Sequence, residues 1–189
     1  MQANTRDRLQ PSLLDRLIDR APAERQESNA ARVLSRAQLR AAVLRDLSWL
    51  FNAVRAEPGA GSARRQAAAL WQAHPLARRS VLNYGMPAFA GSSLQAMDGR
   101  AIERAVADAI TAFEPRLEPG SLEVRVGPDA GDRQRNTLEI IIRARLWSQP
   151  VPLELLLAAD MDVETGHTRL REIREADLPR DHDHDRHRA

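Results

Sequence analysis

Residues 102–126, IERAVADAITAFEPRLEPGSLEVRV, contain the change of hydrophobic period that decides the fold. Up to Pro115 the apolar residues recur at helical spacing, and Asp98 is a suitable N-cap for this helix. Proline ends the helix because it lacks a backbone N–H. From Leu122 onwards apolar and charged residues alternate, which is the period of a strand. The sequence therefore predicts a helix that is followed directly by a strand.

The part of the chain before this point is predicted to be helical. Ser35 and Gln38 have the spacing of a capping box, which begins a long helix. The apolar stripe of this helix has helical periodicity and consists of Leu39, Val43, Leu47, Leu50 and Val54. A short amphipathic helix is predicted over residues 11–20, and an alanine-rich helix is predicted to end near Ala73, where Pro75 stops it.

The part of the chain after it is predicted to be a sheet. Alternating segments are found at residues 138–147 and 153–161, and a last, charged strand is expected at about 167–174. Helices followed by an antiparallel meander of about four strands define an α+β fold. We expect the first two of these segments inside the sheet and the last strand at an edge.

The chain is predicted to contain one domain, over residues 11–175. Residues 1–10 are predicted to be a flexible N-terminus, and residues 176–189 a disordered tail rich in histidine and aspartate. The tail histidines that could chelate a metal are His182, His184 and His187. Because nothing in the sequence fixes their geometry, we predict no metal site and no cofactor.

The composition narrows the classes of function. All 28 basic residues are arginine, yet the net charge is only +2, so a surface that binds nucleic acid is not expected. The chain has no cysteine, which excludes disulfides and thiolate metal sites. It begins without a signal-peptide pattern and has no apolar run that could span a membrane. We expect a cytoplasmic protein that does not insert into membranes.

The stretch around Pro115 also holds the strongest candidate for chemistry, a pair of carboxylates. Glu114 and Glu118 could serve as the acid and base of a glycosidase. However, Pro115 and Pro119 keep them off one helical face, aromatic residues make up only 4% of the chain, and common catalytic motifs are absent. We therefore expect no enzymatic activity, with a glycosidase that uses Glu114 as the alternative.

Glu114 has a second interpretation, as one half of an ion pair. A carboxylate in the last turn faces the negative end of the helix dipole, and a buried one needs a guanidinium such as that of Arg116. The sequence is compatible with two roles for this ion pair. The pair is either an internal clamp that fixes the helix-to-strand corner, or one of its members is exposed to bind a partner.

Four stretches together resemble a known family: PSLLDRL (11–17), LRAAVLRDLSWLFN (39–52), SVLNYGMPAFAG (80–91) and IERAVADAITAFEPRL (102–117). They are similar to the TssE subunits of type VI secretion baseplates, which are related to small lysozyme-like wedge proteins of phage baseplates. The most specific motifs are Asn83-Tyr84-Gly85 and Glu114-Pro115-Arg116. Ala88 departs from the family, which commonly has an acidic residue at that position.

This resemblance implies a structural subunit that lies beside TssF and TssG and templates the sheath of TssB and TssC. The lysozyme label of the family implies the alternative, a lysozyme-like peptidoglycan hydrolase that uses Glu114. In the structural subunit, both motifs are candidate partner contacts. The predicted edge strand adds a third, because its unpaired backbone groups allow a partner strand to extend the sheet. Its candidate contact residues are Arg169, Leu170 and Arg171, and the arginines would favour an acidic partner strand.

Overall fold

The computed structural model describes residues 12–17, 23, 35–58, 65–89, 98–127, 137–148 and 152–178. The predicted flexible N-terminus and the histidines of the tail lie outside these residues, as does the rest of the tail after Leu178. The helices are α1 (Leu13–Leu17), α2 (Arg36–Asn52), α3 (Arg65–Ala73), α4 (Pro75–Arg78) and α5 (Gly99–Phe113). Single turns of 3-10 helix lie at Val81–Asn83, Pro119–Ser121 and Glu175–Asp177.

The strands form one antiparallel sheet in the order β1-β2-β3-β4. Their bounds are β1 (Glu123–Val126), β2 (Thr137–Leu146), β3 (Leu153–Asp162) and β4 (Thr168–Glu172). The long central pair is in register from Thr137 opposite Asp162 to Leu146 opposite Leu153. The α+β class, the meander and the edge position of the last strand are confirmed.

One face of the sheet carries the core. Alternate residues of β2 and β3 are buried, among them Ile140, Ile142 and Leu157, and α2 and α5 pack over them. α2 lies near β4, and α5 lies near β1. Both N-caps form as predicted, since the Ser35 hydroxyl accepts from the Gln38 N–H and the Asp98 carboxylate accepts from the Arg100 N–H.

The end of α2 differs from the prediction. The helix ends at Asn52 with Ala53 as its C-cap, so Val54 is not part of the buried stripe and is 68% exposed. The reason is a backbone pairing with a distant segment: Val54 forms a parallel bridge with Met86. Pro75 ends α3 as predicted and also begins the short helix α4, where proline is well tolerated.

Candidate partner-binding sites

The Glu114-Pro115-Arg116 corner holds a buried ion pair. Glu114 is the C-cap of α5, and its side chain is only 3% exposed. The guanidinium of Arg116 spans its carboxylate: Nε donates to Oε1 over 2.6 Å, and the other contact joins NH2 to Oε2. The backbone N–H of Arg116 also donates to Oε1, over 3.2 Å. These donors compensate a carboxylate that is both buried and at the negative end of a helix.

The ion pair continues into a network that joins α1, α2 and α5. Arg116 also donates from NH2 to Asp46 of α2 over 2.6 Å, and Arg45 donates from Nε to the same carboxylate over 2.8 Å. Arg45 reaches α1 as well, with 2.8 Å between its NH1 and Oδ1 of Asp15. Five charged side chains therefore hold three helices together at one corner.

Three members of this network, Arg116, Arg45 and Asp15, have shifted pKa values. Burial alone would lower the pKa of Arg116, but hydrogen bonds and charge interactions with Glu114 and Asp46 raise it above its ordinary value. Burial alone would raise the pKa of Asp15, but bonds from Ser12 and Arg45 lower it below its ordinary value. Burial alone would likewise lower the pKa of Arg45, but hydrogen bonds and charge interactions with Asp46 and Asp15 raise it. All three shifts favour the charged forms of these side chains.

The corner is also fastened to the sheet. The N–H of Trp147 donates to the carbonyl of Arg116 over 2.9 Å, and the N–H of Glu118 donates to the carbonyl of Arg145 over 2.9 Å. The carboxylate of Glu118 pairs with Arg145, so Glu114 and Glu118 each have their own guanidinium. The geometry is that of the internal clamp, and a contact between Arg116 and a partner stays a prediction.

The Asn83-Tyr84-Gly85 loop is held by a second buried carboxylate. Asn83 accepts from the N–H of Glu57 over 2.8 Å, and its amide donates to the carboxylate of Glu57 and to the carbonyl of Arg78. Arg78 Nε donates to both oxygens of Glu57 over 2.9 Å. Glu57 and Asn83 are both buried. Sequence patterns did not predict this group, because Glu57 and Arg78 lie in segments without periodicity.

Gly85 lies against the segment that follows α2. Its φ is +120°, and a Cβ placed on it would lie 2.5 Å from the carbonyl oxygen of Ala53. Directly after Gly85, the Met86 N–H donates to the Ala53 carbonyl over 2.7 Å, and the Met86 carbonyl accepts from the Arg55 N–H over 2.9 Å. Only glycine allows the two backbones to approach so closely.

We expect Gly85→Ala to lower the free energy of unfolding by about 1–3 kcal/mol from backbone strain alone, with the clash against Ala53 in addition. Gly120→Ala is the matched control, because a Cβ at Gly120 meets no atom within 4 Å. Urea unfolding of both variants measures the difference. Equal midpoints would contradict the close approach of the two segments.

Tyr84 brings the two motifs together. Its ring packs edge-on against Phe113 at the end of α5, with 5.2 Å between ring centroids, and its hydroxyl lies 3.5 Å from the carbonyl of Asp46. Burial raises the pKa of Tyr84, and the charges of Asp46 and Glu114 raise it further. The loop and the corner are therefore neighbours in space, which their separation in sequence did not reveal.

The third candidate, β4, has a partly covered edge. The N–H of Ile173 donates to Leu156 of β3, and the carbonyl of His167 accepts from Asp162 at the end of β3. Backbone hydrogen bonding alternates along an antiparallel strand. Between His167 and Ile173, the residues whose backbone N–H and C=O groups are directed away from β3 are therefore Thr168, Leu170 and Glu172. The backbone of Thr168 is already bonded to the side chain of Asn52, over 2.9 and 3.0 Å.

Of the three predicted edge residues, only Leu170 has its backbone groups directed away from the sheet. Arg169 and Arg171 direct theirs to β3, and the side chain of Arg171 pairs with Asp160 and Glu139 on neighbouring strands. Arg40 of α2 bonds the carboxylate of Glu172 at the other end of the strand. The open part of the edge is therefore short and lies between Asn52 and Arg40.

The described part of the chain contains no helix that is long and apolar enough to cross a membrane. Among the same residues, no group of three or more histidine and acidic side chains could hold a metal ion. The tail histidines lie outside the residues to which this finding applies.

Two helices over an antiparallel meander, fastened by buried ion pairs, define an α+β domain. Comparison with family models gives a match to baseplate wedge protein gp25 over residues 37–151. The chain therefore belongs to the baseplate wedge protein gp25 family. The matched range contains both motifs and ends before β3 and β4. Comparisons with curated proteins and with solved structures find no significant match.

Proposed function

We propose that this protein is the TssE-type subunit of a type VI secretion baseplate, and that it acts in the cytoplasm as a structural component rather than as an enzyme. The observation that carries the proposal is the family match across both motifs, which supports a structural role in a baseplate. Its proposed neighbours are TssF and TssG in the wedge and the sheath proteins TssB and TssC. Neither nucleic acid nor membrane insertion is part of the proposal.

The buried state of Glu114 supports the absence of catalysis. Both oxygens of its carboxylate accept from Arg116, and a general acid needs a proton and access to substrate instead. If the purified protein cleared a peptidoglycan suspension, and Glu114→Gln removed that activity while the variant stayed folded, the structural proposal would be wrong.

The wedge partners can be tested directly. We expect the tagged, full-length protein to co-purify with TssF and TssG when the three are produced together. The assay is size-exclusion chromatography of the purified material. Elution of the tagged protein alone, with TssF and TssG folded in the same lysate, would contradict this part of the proposal.

For sheath assembly we propose that a partner strand pairs with the open edge of β4. The outward N–H and C=O groups of Leu170 and Glu172 have no partner among the described residues, so a strand can bond to them without displacing anything. Arg169 and Arg171 are exposed along the same strand. Because Arg171 is already paired with Asp160 and Glu139, Arg169 is the charge that favours acidic residues on the partner.

The alternation of β4 provides a matched pair of proline variants. Leu170→Pro removes an outward donor, so we expect a folded protein that joins the wedge but does not initiate sheaths. Arg171→Pro removes a donor that faces β3, so we expect a loss of stability instead. Thermal unfolding and fluorescence imaging of sheaths separate the two. Normal sheaths with Leu170→Pro at parental abundance would mean that this edge is not the template.

A further inference from the structure

The segment of α3, α4 and the following 3-10 turn exposes large apolar side chains on the surface. Neither α3 nor α4 buries a single residue. We call this surface the apolar platform; its side chains are 61–87% exposed and belong to Leu70, Leu76, Val81 and Leu82. Single exposed apolar residues are common in soluble proteins, but a group of them within one short segment marks an interaction surface.

The platform is rigidly attached at its base. Arg78 and Asn83, which lie on either side of its apolar turn, are both bonded to the buried carboxylate of Glu57. Ser80 between them caps the 3-10 turn by accepting from the N–H of Leu82. The apolar side chains are therefore presented by a backbone that is already ordered, which lowers the entropy cost of binding.

The chain segment that carries the platform has charged residues of one sign only. From residue 58 to residue 97 the sequence contains no aspartate or glutamate, and its charged residues are Arg64, Arg65, Arg78 and Arg79. Among them, Arg78 and Arg79 are exposed beside the apolar turn. A negatively charged partner would bind this surface more tightly than a neutral one, and a positively charged partner would be repelled.

A groove of about 550 Å³ lies between α5 and the residues Arg78, Arg79 and Asn83, which belong to the same segment as the platform. Its lining includes Arg55, Arg78 and Arg79 together with two acidic residues, Glu57 and Asp108. Glu57 is already paired with Arg78. The Nε of Arg55 is buried and has no hydrogen-bond partner among the described residues. An unpaired buried donor of this kind favours a ligand that brings an acceptor, and a carboxylate suits a guanidinium best.

From these observations we propose that the platform binds a net-acidic, amphipathic segment of a partner protein. The apolar side of that segment covers Leu76, Val81 and Leu82, and one of its carboxylates pairs with Arg55 and Arg79 in the groove. This contact is separate from the pairing at β4 and does not depend on it, because the two surfaces share no residue.

Photo-crosslinking in the cells that produce the protein tests the platform directly. A photoreactive residue replaces Leu82, and the same residue at Leu17, which is 74% exposed on α1, is the control. We expect a crosslink from position 82 that maps by mass spectrometry to a net-acidic protein segment with apolar residues at helical spacing. A crosslink to lipid, a crosslink to a neutral or basic segment, or a yield no higher than at position 17 would overturn the proposal.

Charge and apolar variants then test the two parts of the contact. Leu76→Ser and Arg79→Glu should each lower the crosslink yield from position 82 by about fivefold or more, because exposed anchors and charges change binding but not folding. Reversing the mapped acidic residue on the partner should restore the yield with Arg79→Glu. Unchanged yields in both variants, or no restoration, would overturn the proposal whatever the state of the sheath.

Discussion

Leu47→Asp is expected to abolish the folded state at room temperature. Leu47 is completely buried in α2, where it belongs to the cluster that covers the sheet. A carboxylate at this position has no partner and loses its hydration, which costs several kcal/mol. Since small domains are stable by only about 5–15 kcal/mol, one such substitution consumes most of the free energy of unfolding. Ile110→Asp in α5 should behave in the same way, because Ile110 is equally buried.

Val54→Asp is the matched control. Val54 continues the same stripe in the sequence, yet it lies beyond the end of α2 and is exposed. Circular dichroism during thermal unfolding should show a cooperative transition near the parental one for this variant and none for Leu47→Asp. A soluble, cooperatively folding Leu47→Asp protein would show that this stripe is not the core.

Arg116→Ala should produce the second largest effect, a decrease of about 3–5 kcal/mol in the free energy of unfolding. The substitution leaves Glu114 buried without its guanidinium and removes one of the two arginines that bond Asp46. Desolvation of a lone carboxylate is then no longer compensated. We therefore expect Arg116→Ala and Glu114→Ala to melt far below the parent, as an internal clamp requires.

Arg145→Ala is the control for this prediction. Arg145 forms an ion pair with Glu118, but the two side chains are 49% and 28% exposed, so Arg145→Ala should lower the free energy of unfolding by no more than about 1 kcal/mol. A double-mutant cycle between Glu114 and Arg116 measures their coupling. If both single variants melt like the parent and still lose secretion, the corner contacts a partner instead of clamping the fold.

The sequence predicted the type of side chain that pairs with Glu114, but not the other residues of the network. The sequence indicated that Glu114 would need a guanidinium, and Arg116 supplies it. It did not indicate Asp46, Arg45 or Asp15, because polar residues on the outer side of a helix look alike whether they face solvent or a neighbouring chain segment. The same holds for Glu57 and Asn83, whose pairing depends on a loop meeting the end of α2.

For the edge strand β4, the sequence likewise predicted the position in the sheet but not which backbone groups are open. Its position followed from the order of the meander, because a last strand that pairs only with its predecessor lies at the edge. Which backbone groups are open depends on the register with β3 and on Asn52, and neither can be read from alternation alone. As a result, the sequence did not distinguish Leu170 from Arg171, whereas in the structure the backbone groups of Leu170 are directed away from β3 and those of Arg171 are directed towards it.

By itself, the sequence determined the helices, the strands and the α+β class, since these follow from local periodicity, capping residues and prolines. The family resemblance was likewise carried by short local motifs. Only the tertiary structure decided that Val54 leaves the core, that Gly85 touches the end of α2 and that two arginines join three helices. The physical reason is that burial and ion pairing depend on which distant segments meet, and a one-dimensional pattern holds no record of those contacts.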